Sequence, residues 1–122
     1  MAEDLIRWLH TLFLPAANQA GETAWQPALD VYEADNGWLI KCDLAGVRPE
    51  DVSVTLQGRR VTIQGVRRDW TRIESCRLHR MEIAYSRFER TLELPEELER
   101  VCISREFQQG MLLLRLTKEP CK

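Results

Sequence analysis

Y-S-R-F-E-R-T-L-E-L-P at residues 85–95, followed after a short acidic turn by V-C-I-S-R-E-F-Q-Q-G-M-L-L-L-R-L at residues 101–116, sets the reading of this chain. Apolar and polar residues alternate through both halves, which is the period of a strand with one buried face. Two such strands frame Leu94-Pro95, and Gly110 marks a turn into a third strand as a hairpin partner. The rest of the sequence offers no reactive motif. Function is therefore expected from surface and sheet edge.

The alternation continues upstream. Leu29 to Glu33 predicts a first short strand that turns at Asp35-Asn36-Gly37. Trp38, Ile40, Cys42 and Leu44 share one face of a second strand, and their parity makes Cys42 a small core hydrophobe. Pro49 suits the first position of a single helical turn. Val52, Val54 and Leu56 alternate with Ser53, Thr55 and Gln57. Gly58-Arg59 then turns the chain into Val61-Thr62-Ile63, which Gly65 ends. Six to eight short strands with turn signals between them predict an all-β sandwich.

Residues 66–84 are too long for a tight connection and too apolar for a disordered one. They hold Trp70, Ile73, Leu78, Met81 and Ile83, so an excursion with its own strand is expected. A lone strand leaves backbone groups unpaired, and the edge of an identical neighbour is the natural partner, as in a swapped dimer. Residues 1–24 read differently again. Leu5, Ile6, Trp8, Leu9, Leu12 and Phe13 recur at spacings of three and four, an apolar helical face opened by Glu3 and Asp4 and closed by Pro15. A connector follows to residue 24. So short a helix needs a surface to pack on, either its own β-domain or another chain.

Composition excludes several classes. With 122 residues and 44% hydrophobic content the chain suits one globular domain, spanning residues 25–120. A net charge of −2 argues against nucleic acid or an anionic membrane as partner. The pairs Arg59-Arg60 and Arg67-Arg68 read as solvated hairpin ends. Four cysteines, Cys42, Cys76, Cys102 and Cys121, form no close pair, so neither a zinc site nor a redox motif is expected. The acidic start lacks the basic region of a secretory signal, and the first apolar run is too short to span a bilayer. A cytoplasmic protein with reduced thiols is expected, Cys121 being the reactive one. The sequence has no G-x-x-x-x-G-K-S/T, H-E-x-x-H or G-x-S-x-G, and Glu96-Glu97 stand in an exposed turn. Neither a cofactor nor catalysis is expected.

Taken in order, W-Q-P-A-L-D-V-Y-E from Trp25, C-D-L-A-G-V-R-P-E-D-V-S-V from Cys42, V-T-I-Q-G from Val61, H-R-M-E-I-A-Y-S-R-F-E-R from His79, and the Leu-Pro and Gly-x-Leu segments resemble the α-crystallin domain of small heat-shock proteins, bacterial and plant type. The resemblance implies an immunoglobulin-like sandwich. It also implies an ATP-independent holdase that keeps unfolding client proteins from aggregating under stress. In this family the strand of the long loop pairs with the partner's first strand. Here that sets Arg72, Ile73, Cys76 and Leu78 against Leu29, Val31 and Tyr32, with Arg90 near the dimer contact; Arg90 paired with Glu89 or Glu93 is the alternative. Ala45, Ser86 and Arg105 stand where the family usually has proline, glycine and alanine. The family's Ile-x-Ile tail segment is not found in residues 121–122, which read as a vestigial tail. Clients are expected on the arm at Leu5, Trp8, Leu9, Leu12 and Phe13, and in a groove around Val52, Val54, Leu56, Val101 and Ile103 left open by the tail. The expected assembly is a homodimer, with larger species through the arms. An adaptor of a folded chaperone, or a modulator that co-assembles with a longer relative, are the alternatives.

Overall fold

Seven strands form among the described residues, and each begins where the period-two pattern does. The computed structural model describes residues 25–71, 74–98 and 100–118. The strands are β1 Leu29–Ala34, β2 Gly37–Asp43, β3 Val52–Gln57, β4 Arg60–Val66, β5 Arg87–Glu93, β6 Cys102–Gln108 and β7 Met111–Thr117. A 3-10 turn at Pro49–Asp51 precedes β3, with proline opening it. All pairings are antiparallel, in a four-stranded sheet of order β1-β2-β7-β6 and a three-stranded sheet of order β3-β4-β5. The expected sandwich is the observed one. The apolar arm and the residues beyond Lys118 lie outside the described residues.

Register explains the core. Trp38, Ile40 and Cys42 on β2 stand opposite Leu116, Leu114 and Leu112 on β7, and all six are buried. They face Val61 and Ile63 of β4 and Phe88 of β5, all fully buried. A one-residue slip of β7 would turn its leucines to solvent and Arg115 inward, so the apolar pattern itself fixes the register. Each fully buried side chain of this size contributes about 1.5–3 kcal/mol from leaving water. The β6–β7 hairpin turns through Gln109 and Gly110 at φ 51° and 79°. Positive φ at both residues gives a type I′ turn, whose twist matches the strands it joins.

Two expectations need correction. Between Val66 and Arg87 no strand forms among the described residues; Glu74 and Ser75 make a turn, and 76–80 are without regular structure. A strand needs a partner edge, and the described part of this segment pairs with neither sheet. The thiols also differ from expectation. Cys42 and Cys76 are free, but Cys102 is disulfide-bonded. The expectation of reduced thiols, drawn from the acidic start without a secretory signal, does not hold at Cys102, which stands opposite Thr117 in the β6–β7 hairpin.

Candidate functional site: open edges, a groove and an apolar excursion

Two sheets that do not close into a barrel have four edges, here β1 and β6 on one sheet and β3 and β5 on the other. Edges are where strands can be added, so they are the places to look for partners. The groove expected from the sequence would lie between β3 and β6, which Arg105 links across the two layers. Val54, Leu56, Val101 and Phe107 pack half-buried against the core along it, and Ile103 is 40% exposed. Val52 is different: its side chain is buried in the core, and it is its carbonyl that faces the groove.

That carbonyl has a partner. Arg105 on β6 donates from Nη1 to Val52 O at 3.0 Å and from Nη2 to Pro49 O at 2.7 Å. One guanidinium thus bridges the two sheets and takes up two acceptors at the β3 end of the groove. Its planar fork suits paired acceptors in a way a lysine would not. The sequence marked Arg105 as unusual but gave no role for it, since the acceptors are backbone atoms with no sequence signature.

The first strand makes the second surface. Among the described residues β1 pairs only with β2, and along it Val31 and Tyr32 are 44% and 47% exposed while Leu29 is half-buried. Tyr32 lies under Lys41 Nζ, 5.0 Å from the ring centroid. Of the loop residues expected to meet this strand, Cys76 and Leu78 are exposed, and Arg72 and Ile73 lie outside the described residues. Arg90 is held within the chain rather than by a neighbouring glutamate: Nη1 donates to Pro27 O at 2.7 Å and ties β5 to the lead into β1.

The excursion between β4 and β5 is anchored at its base. Arg67 N donates to Ser86 O at 2.9 Å, and Arg67 Nε donates to Ala84 O at 2.8 Å. The same guanidinium stacks 3.7 Å over Trp25, which meets Phe88 edge-on at 5.2 Å. Trp70 Nε1 donates to Gly46 O at 2.9 Å and carries Arg48 on its face at 3.2 Å. Arg68 pairs with Asp51 at 3.2 Å. From this base the segment projects Leu78, Met81 and Ile83 into solvent, and these with Tyr85 line a cleft of about 490 Å³.

Electrostatics point away from a reactive centre at the one thiol buried in the core. Burial pushes Cys42 up from 9.0 to about 12, against the opposing pull of Arg90, so it stays a neutral thiol at physiological pH. Burial also lowers Arg87, helped by the like charge of Arg68. Among the described residues no three His, Cys, Asp or Glu side chains gather as a metal-ligand group. No helix there is long and apolar enough to cross a membrane.

Comparison with known proteins gives the same picture of the fold. Residues 30–122 match the family model of the Hsp20/alpha crystallin family. Spore protein SP21 of Stigmatella aurantiaca is 36% identical over 104 residues, covering 85% of this chain and 62% of its own length. The crystal structure of hspA from Xanthomonas axonopodis superposes with a TM-score of 0.64 at 28% identity, covering 80% of this chain and 98% of that one. Heat shock protein 16.0 from Schizosaccharomyces pombe superposes with a TM-score of 0.68 at 25% identity, covering 79% and 89%. The chain spans about three fifths of the length of the first two curated relatives, 62% and 60%.

Proposed function

This chain belongs to the Hsp20/alpha crystallin family, and from that premise we propose that it is an ATP-independent holdase chaperone. It binds apolar segments of unfolding proteins and keeps them from aggregating. The supporting observation is the distribution of apolar surface. Leu78, Met81, Ile83, Val31, Tyr32 and Ile103 are all exposed, and all sit on the excursion or on strands that edge the sheets. Grouped exposed apolar surface, as at Leu78, Met81 and Ile83, marks a place where something binds. Burying it against a client contributes about 25 cal/mol per Å² without requiring a defined client sequence. Val54, Leu56, Val101 and Ile103 in the groove, with Leu5, Trp8, Leu9, Leu12 and Phe13 on the arm, are the client contacts of this reading.

The same reading joins two chains. Residues 72–78 of one chain add as a strand to the open edge of β1 in the other, supplying a pairing edge for the segment. Val31, Tyr32 and Leu78 then leave solvent together. The adaptor reading is less well supported, because an excursion carrying this much exposed apolar surface is superfluous to a domain that works as a monomer. A cytoplasmic, non-catalytic role completes the proposal, and cell fractionation checks the location.

The test is direct. A heat-labile client is warmed with and without the protein, in the absence of nucleotide, and light scattering is followed. Suppression at a ratio near one dimer per client is the expected result. Unchanged scattering at that ratio would contradict the proposal.

A further inference from the structure

The sequence holds four cysteines. Cys42 and Cys76 are free, whereas Cys102 is disulfide-bonded. A disulfide needs a second sulfur, and with Cys42 and Cys76 free the chain has one cysteine left, Cys121, which lies outside the described residues. The end of β7 agrees with that pairing. Thr117, its last residue, stands opposite Cys102 and donates from Oγ1 to Cys102 O at 3.4 Å. Register partners in an antiparallel ladder are about 5 Å apart, and the four residues from Thr117 to Cys121 reach about 14 Å when extended. One residue past the strand the chain is still fastened. Lys118 N donates to Asn36 O at 2.7 Å, and Lys118 Nζ pairs with Glu96 at 2.6 Å. A short return over the end of β7 is long enough to join the two sulfurs.

Cys102 opens β6, an edge of the four-stranded sheet, between Val101 and Ile103. Successive residues of a strand point to opposite faces. Phe107 packs on the core and Arg105 reaches across to Val52 and Pro49, so Ile103, Arg105 and Phe107 face the other layer. Cys102 has the opposite parity, shared with Glu106, whose carboxylate pairs with Arg115 on the outer side of β7. The bridge thus sits on the outer face and leaves the inner face of β6 uncovered. Among the described residues β6 pairs only with β7. Its first residues are held on one side alone, which makes them the readiest to fray.

We propose that Cys102 and Cys121 form a reversible disulfide, a redox-modification site served by small thiols and disulfides, which pins the open end of β6. To close it, one thiolate of the pair attacks the sulfur–sulfur bond of a small disulfide such as oxidised glutathione. A small thiol leaves and a mixed disulfide forms. The second thiolate then attacks the protein sulfur of that mixed disulfide and releases the other small thiol. The protein gives up two electrons and two protons, and the small disulfide is reduced to two thiols. Opening is the reverse. Closed, the bridge ties the start of β6 to the chain leaving β7; open, Val101 to Ser104 fray from the edge more often. The site does not depend on the chaperone reading. It meets that reading at Val101 and Ile103, the groove residues on either side of Cys102, whose wall is held more firmly when the bridge is closed.

Peptide mapping of the full chain tests the bond. The protein is equilibrated with oxidised glutathione, free thiols are blocked by alkylation, and fragments are compared before and after reduction. The expected result is Cys102 and Cys121 in one linked pair within a single chain, with Cys76 alkylated in the native state and Cys42 only after unfolding. Alkylation of Cys102 and Cys121 in the oxidised sample would overturn the proposal. So would a lasting glutathione adduct on either, or a link from Cys102 to another cysteine or a second chain. Hydrogen exchange by mass spectrometry then reads the consequence. Reduction should speed exchange across residues 101–108 by about threefold or more. Oxidised Cys121→Ser should exchange at the reduced rate and ignore reductant, and Cys102→Ser should match it; the thermal transition of the β-domain shows that each is folded. Equal exchange in the two redox states would show that the bridge does not pin the edge, and a response to reductant in Cys121→Ser would trace the effect to another thiol; either contradicts the proposal. Client aggregation followed on the same samples tests the chaperone reading separately, since its failure leaves a mapped bridge standing.

Discussion

The interior of the sandwich and the excursion between β4 and β5 are built from similar residues to opposite effect. Ile40, Leu114 and Phe88 are fully buried, while Leu78, Met81 and Ile83 of the excursion are more than half exposed. Inside, each apolar residue has a register partner that fixes its position. Outside, the backbone is fastened at the base by Arg67, Trp70 and Ser86, and the apolar side chains beyond it, Leu78, Met81 and Ile83, face solvent. The lesson is that stability and function occupy different parts of this molecule, so they should be separable by substitution.

The largest effect belongs to the interior. Phe88→Ala should cost about 3–5 kcal/mol in urea unfolding, because it removes a fully buried ring and leaves a cavity between the sheets. A cost below 1 kcal/mol would mean the two layers are not packed as described. Gly65→Ala should cost about 1–3 kcal/mol, since a Cβ there would overlap the Asp51 carbonyl and the Phe88 ring. The urea midpoint checks it, and a neutral outcome would show slack between β3, β4 and β5.

Alkali should act on the interior as well. The Cys42 thiol titrates near 12 when folded and near 9.0 when free, so folding favours its protonated form. That preference has no effect below the free value. As pH rises from about 9 toward 12, the unfolded chain sheds the proton first and stability falls by about 1.4 kcal/mol per pH unit. Cys42→Ala should lack this component, so its urea midpoint should fall less than that of the parent between pH 8 and pH 10. Parallel losses in the two proteins would place the thiol in a wetter site.

The boundary between the regions is subtler. Arg105→Ala removes two bonds across the groove and should cost under about 1.5 kcal/mol, because the guanidinium is solvent-accessible and water can replace it in part. A labelled apolar peptide should bind the groove more tightly in this variant, as the Val52 and Pro49 carbonyls become available. Unchanged peptide binding, followed by fluorescence anisotropy, would show that Arg105 does not guard that edge. Smallest of all, Leu78→Ser should move the urea midpoint by less than about 0.5 kcal/mol while weakening client protection. A large stability loss would mean that the excursion belongs to the core.

The sequence showed the strands well because alternation is a local signal. Leu29, Trp38, Val52 and the run from Arg87 to Leu116 read correctly to within a residue or two, as did the turn opened by Pro49. β4 was seen only as Val61 to Ile63 and extends to Arg60–Val66, since Gln64 and Gly65 carry no strand propensity of their own. The bridges were not legible. Arg105 to Val52 and Arg90 to Pro27 span 53 and 63 residues and end on carbonyl oxygens, which every residue has. The cleft was half legible: the apolar residues of 66–84 stood out, but not that four of them with Tyr85 would wall two neighbouring hollows.

The most direct measurement is the mass of the full chain in solution by light scattering, before and after Cys76→Pro. Proline in the excursion removes a backbone donor from the segment proposed to pair with β1, without touching the sandwich. The account predicts a mass of at least twice 14.3 kDa for the parent, falling toward 14.3 kDa in the variant with the thermal unfolding of the β-domain retained. A parent that runs at 14.3 kDa, or a variant whose mass does not change, would contradict it.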